Sequence, residues 1–119
     1  MLFRSDRDLL ALRGARRALL ALGCEESRIE THHLGAWAED ALPRASADLV
    51  VATLFEDAGA GAVEAQYAGL LGTLAPRGRA FVAGSSTAIT RLLARPLPAA
   101  MTAARTRHRG VSVLEVTRA

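Results

Sequence analysis

The sequence predicts an α/β domain built on a mainly parallel sheet, and two observations predict it. Helix-type and strand-type segments alternate along the chain. The strongest strand-type run, residues 47–54, is apolar without alternation. Such a run suits a central strand covered on both faces.

The bulk properties bound the rest. At 119 residues, half of them apolar, the chain has material for one small globular domain and not two. No apolar run nears the roughly 20 residues that span a bilayer, and no long apolar segment follows residues 1–5 as in a signal peptide. The expectation is therefore a cytoplasmic protein without a membrane partner. Cys24 is the single cysteine, so neither an internal disulfide nor a cysteine-based metal site is expected. All fifteen basic residues are arginine, and the net charge of +3 says little about nucleic acid.

Taken in order, residues 8–22 read as an amphipathic helix with Leu9, Leu12, Leu19 and Leu22 on one face, and Gly23 as its stop. Residues 28–32 form a short strand leading into His33-Leu34-Gly35. Residues 36–42 have room for one helical turn before Pro43 breaks it. After the 47–54 strand, residues 58–61 are a flexible approach to a helix whose apolar stripe is Val63, Tyr67, Leu70, Leu71 and Leu74. Pro76-Arg77-Gly78 is a turn delivering a strand at 79–83, and residues 87–94 are a further helix. Pro96 and Pro98 imply a loop, with Pro98 placed to start a short helical stretch over 99–104. Residues 111–117 are a final strand.

Candidate chemistry is sparse. Asp6 and Asp8 sit where acids favour a helix N-terminus whether or not they bind anything. His32 and His33 would face opposite ways on a strand and cannot share a metal, so none is expected. Glu56 and Asp57 follow the strongest strand, where open α/β sheets place ligands, and are equally readable as a solvated acidic loop. Ser85-Ser86-Thr87 reads as a helix cap. Trp37 reads as packing or as a stacking platform, and Arg105, Arg107, His108 and Arg109 as a solvated loop or a contact for RNA phosphates.

Several segments together resemble the class I S-adenosylmethionine (SAM)-dependent methyltransferases. They are Asp6-Arg7-Asp8 with the helix after it, Ala47-Asp48-Leu49-Val50-Val51-Ala52-Thr53, and Leu74-Ala75-Pro76-Arg77-Gly78-Arg79-Ala80-Phe81-Val82. The last is similar to that family's leucine-x-proline-glycine-glycine-arginine turn before strand five. Val82-Ala83-Gly84-Ser85-Ser86 and the stretch from Arg109 to Arg118 narrow the resemblance to the small-subunit ribosomal RNA guanine-N2 methyltransferases.

The resemblance implies a Rossmann-like methyltransferase sheet lacking strand one and most of strand two, mainly parallel with a C-terminal antiparallel strand. It implies a partial methyltransferase domain over residues 6–119, with residues 1–5 a strand remnant or foreign. SAM is the implied cofactor, Asp6 the acceptor for its ribose hydroxyls, and His33 and Leu34 its neighbours at adenine. Thr53, Leu54, Phe55 and Glu56 stand on the substrate side, and ribosomal RNA is the implied partner. An enzyme is implied for the full-length parent, with this stretch alone inactive and prone to aggregate through open sheet edges.

Three departures weigh against full function. The family's asparagine-proline-proline-phenylalanine motif is replaced by Thr53-Leu54-Phe55-Glu56, its adenine-binding acid by His33, and no glycine-rich loop precedes Asp6. They support an alternative, a degenerate methyltransferase-like domain serving as a structural or RNA-binding module.

Overall fold

The computed structural model describes residues 2–6, 9–33 and 43–119. Its elements are β1 (Leu2–Asp6), α1 (Leu9–Ala21), β2 (Ile29–His33), β3 (Ala47–Thr53), α2 (Ala60–Thr73), β4 (Leu74–Ser85), α3 (Ser86–Leu93), β5 (Met101–His108) and β6 (Val111–Arg118). The expected helical turn at 36–42, Trp37 and Leu34 all fall outside the described residues.

Two sheets result. β1 and β2 pair in parallel, and a four-stranded sheet has the order β3-β4-β6-β5. In the larger sheet β3 and β4 are parallel, while β6 runs antiparallel to both of its neighbours, β4 and β5. The mixed α/β architecture with one reversed strand is thus the fold class read from the sequence.

Local chemistry explains the boundaries. α1 stops at Gly23, whose φ of 91° lets its N–H reach the Leu20 carbonyl and that of Cys24 reach Leu19. This left-handed residue closes the helix with the paired bonds of a Schellman turn. α3 starts at Ser85, whose hydroxyl accepts from the N–H of Ala88 at 3.1 Å. That is the cap expected of the serine run.

Register shows which face is covered. Val50 pairs with Ala80 and Ala52 with Val82, and these pair in turn with Val116 and Leu114 on β6. Residues directly across a sheet share a face, and this one is packed beneath α2 and α3. Ala80, Val82, Leu114 and Val116 are fully buried there with Leu74 and Ile89, joined by Tyr67, Leu70, Leu71 and Leu92.

The structure corrects the sequence at three points. Leu49 and Val51 on the other face of β3 are 60% and 63% exposed, so among the described residues the strand is covered on one face only. Residues 101–108 form strand β5 and not a helix. Met101, Ala103 and Arg105 turn inward on alternate positions, and pairing with β6 outweighs alanine's helix propensity. Leu22 lies beyond the end of α1 and is 81% exposed, so it is no part of a buried stripe.

Candidate functional site at the carboxyl ends of the strands

Two clusters of sequence-predicted site residues stand at strand ends. Asp6 ends β1, His33 ends β2, and the two are direct register partners. Parallel pairing therefore brings to one level two residues separated by 27 positions in sequence. Thr53 ends β3, and Leu54-Phe55-Glu56 follow it.

The segment after β3 is held from three directions. Leu54 continues the sheet, donating its N–H to the Ala83 carbonyl at 2.9 Å, and its side chain is 5% exposed. Gln66, on the buried side of α2 and only 2% exposed, meets two backbone groups of the segment. Its Nε2 donates to the Thr53 carbonyl at 3.0 Å and its Oε1 accepts from the Phe55 N–H at 2.9 Å. A primary amide presents one donor and one acceptor edge, the complement of an extended chain.

Glu56 makes the third tie. Its carboxylate accepts the backbone N–H of Ser85 at 2.9 Å and also the Ser85 hydroxyl. These bonds, the hydroxyl's first and the backbone's second, hold its carboxyl below the ordinary glutamate value. Ser85 ends β4 and caps α3, so one carboxylate joins the ends of two parallel strands and a helix start.

Gly84 makes this closeness possible. A Cβ there would come within 2.8 Å of the Leu54 Cδ1. Beside the joint a cleft of about 90 Å³ opens between α2 and α3, lined by Glu56, Gly59, Val63, Ser85, Ala88 and Arg91. It is smaller than the roughly 300–1,000 Å³ of small-molecule pockets and suits a few waters.

Gln66 and the Glu56–Ser85 joint were missed from sequence. Gln66 did leave a signal: it stands at the i+3 position of the stripe Val63, Tyr67, Leu70, where a solvated residue does not belong. Among the described residues no group of three or more His, Cys, Asp or Glu is placed to hold a metal ion. Nor is any described helix long and apolar enough to cross a membrane.

No protein-family model matches the chain, and no curated protein matches it in sequence. Solved structures do match. An rRNA methylase from Streptococcus thermophilus superposes with a TM-score of 0.72 at 15% identity, over 98% of this chain and 72% of that one. A protein from Streptococcus mutans described as a methyltransferase, solved in complex with SAH, gives 0.73 at 10% identity, over 98% of this chain and 75% of that one. TrmN from Thermus thermophilus gives 0.67 at 20% identity, over 98% of this chain and 36% of that one. At these identities the likeness establishes the fold that the chain shares with them.

Proposed function

We propose that the chain supplies the acceptor side and part of the cofactor side of a SAM-dependent methyltransferase acting on a nitrogen of RNA, ribosomal RNA first. The observation that carries the reading is the register partnership of Asp6 and His33 at the ends of neighbouring parallel strands. A ribose diol and an adenine edge belong to one nucleoside, so the groups that receive them need adjacent positions. The donor set suits that ligand. A carboxylate accepts two hydrogen bonds from a vicinal diol, and a neutral imidazole nitrogen accepts one from an exocyclic amine. Leu34, next in sequence, adds an apolar side chain for the base.

SAM, when bound, supplies a methyl group already activated on a sulfonium centre. The work left to the chain is orientation. The Thr53 hydroxyl and the outer lone pairs of Glu56 accept hydrogen bonds from an acceptor amine, while Gln66 and Ser85 keep that segment from moving. The Streptococcus mutans neighbour, with its bound SAH, supports the cofactor class.

Calorimetric titration of the full-length parent protein with SAH tests the reading. Micromolar binding that Asp6→Ala weakens tenfold or more, about 1.4 kcal/mol, is expected. A folded protein that takes up no SAH would instead be a degenerate methyltransferase-like module, structural or RNA-binding.

A further inference from the structure

Charge is divided unevenly along the chain. Residues 1–64 hold seven arginines and eleven acids, a net of −4, whereas residues 65–119 hold eight arginines and one acid, a net of +7. The small total of +3 conceals this division. The one acid of the second part, Glu115, lies 3.9 Å from Arg79 across β4 and β6.

The arginines of this part have different employments. Arg95 pairs with Glu64 on α2. Arg118 donates to the Leu74 carbonyl. Arg105 turns inward and donates to the Ser112 hydroxyl at 3.1 Å, the Thr90 hydroxyl at 2.7 Å and the Ser86 carbonyl at 3.0 Å. Arg107 and Arg109, two and four residues further, are exposed and have no ion-pair partner among the described residues. Arg107 shares the strand face of Arg105, and Arg109 sits in the β5–β6 turn at a φ of 50°.

Register fixes where that turn stands. Thr53 pairs with Ala83, Ala83 with Val113, and Val113 with Thr106, one row across all four strands. Past that row, toward the carboxyl ends of β3 and β4, lie Ser85, Val111 and His108 in register. The turn thus rises at the same end of the sheet as the Thr53–Glu56 segment. Three strand spacings, roughly 14 Å, separate β5 from β3.

We infer that the β5–β6 turn, through Arg107 and Arg109, is the docking point for the phosphate backbone of an RNA strand. Guanidinium groups take phosphate oxygens in bidentate pairs, and neither of these two has an ion pair among the described residues to give up first. Arg105 belongs to the scaffold of this surface, since its donors bind the turn's strand to α3. Calling the strand a substrate rests on the methyltransferase reading; the docking itself does not.

The test is fluorescence anisotropy with a labelled RNA hairpin, titrated at several salt concentrations. Replacing Arg107 and Arg109 by alanine is expected to weaken binding at least tenfold at low salt. The slope of log K against log salt should fall by about 1.4–1.8, two contacts at roughly 0.7–0.9 each. Arg13→Ala with Arg17→Ala removes the same charge from exposed positions on α1 and is expected to leave affinity within twofold. Equal losses from both pairs, or none from either, would overturn the inference, as would binding to phosphatidylserine vesicles as tight as to RNA. SAH titration of the same variants separates the two readings: unchanged SAH binding with lost RNA binding supports both. RNA binding with this pattern in a protein that takes no SAH retains the docking surface and removes the enzyme.

Discussion

Gln66 and Thr53 are thirteen residues apart, and the amide of the first donates to the carbonyl of the second at 3.0 Å from a site with 2% exposure. The same amide accepts from the Phe55 N–H, so one side chain holds two backbone groups of the segment that follows β3. Gln66→Leu fills the volume but offers neither bond. It should cost about 1–3 kcal/mol by removing the donor that the Thr53 carbonyl uses. Urea unfolding of the variant measures this, and an unchanged midpoint would mean that the segment holds itself.

Glu56 gives the fold a dependence on acid. Its carboxyl is lowered from 4.5 by the bonds from Ser85, so its contribution is complete above the unfolded glutamate value. That contribution disappears as pH falls through the folded value. Glu56→Gln should therefore flatten the acid limb of the stability–pH curve and leave its neutral and alkaline parts parallel to the parent's. The effect is small because the group faces solvent.

The turn expected at Pro76-Arg77-Gly78 lies within β4, where the pairing with β3 shifts register, and Gly78 marks a crowded place there. A Cβ there would meet the carbonyl oxygens of Ala47 and Ala75, both at 2.7 Å, and backbone cannot step aside as a side chain can. Gly78→Ala is expected to cost about 1–3 kcal/mol. Gly61→Ala, where nothing lies within 4 Å, is the control and should be neutral or slightly stabilising.

Arg105→Lys keeps the charge and loses the fork. An ammonium has no geometry for reaching Ser112, Thr90 and the Ser86 carbonyl together, so a loss of about 1 kcal/mol is expected. Thermal unfolding detects it as a lower Tm with two-state shape preserved. A variant as stable as the parent would show that the three bonds are individually idle.

The exposed face of β3 predicts behaviour at high concentration. Leu49 and Val51 present apolar side chains on a strand whose one partner among the described residues is β4. Val51→Lys should reduce light scattering of concentrated samples, since a charge on an open strand opposes edge-to-edge pairing. Equal scattering by parent and variant would remove this surface as the cause.

Much of the fold was legible because apolar spacing and glycine punctuation agree. The α2 stripe, the stop at Gly23 and the apolar β3 each carry a local signal strong enough to stand alone. β5 carries none: Thr102, Ala103, Ala104 and Thr106 are compatible with either periodicity, and only β6 decides for a strand. Among the described residues β3 is covered on one face and not two, because an apolar run records only what a strand can be packed against. At the candidate site, Asp6, His33 and Thr53 were named through the family resemblance, while the register partnership of Asp6 and His33 is a property of the fold. Gln66 was passed over because glutamine in a helix is ordinarily a solvated residue, and its burial is a tertiary fact.

The reversal of β6 has a consequence for how the sheet is made. β6 lies between β4 and β5 in space but is translated after both. Until the ribosome has released it, β5 lacks its pairing with β6, Arg105 has no Ser112 to hold, and the covered face lacks Leu114 and Val116. The order of synthesis and the order of assembly therefore differ, and the sheet's middle is the part that arrives late. Nascent chains arrested before Val111 should remain protease-sensitive over residues 101–108, and protection should appear across β4 and β5 together once the reversed strand is free to enter.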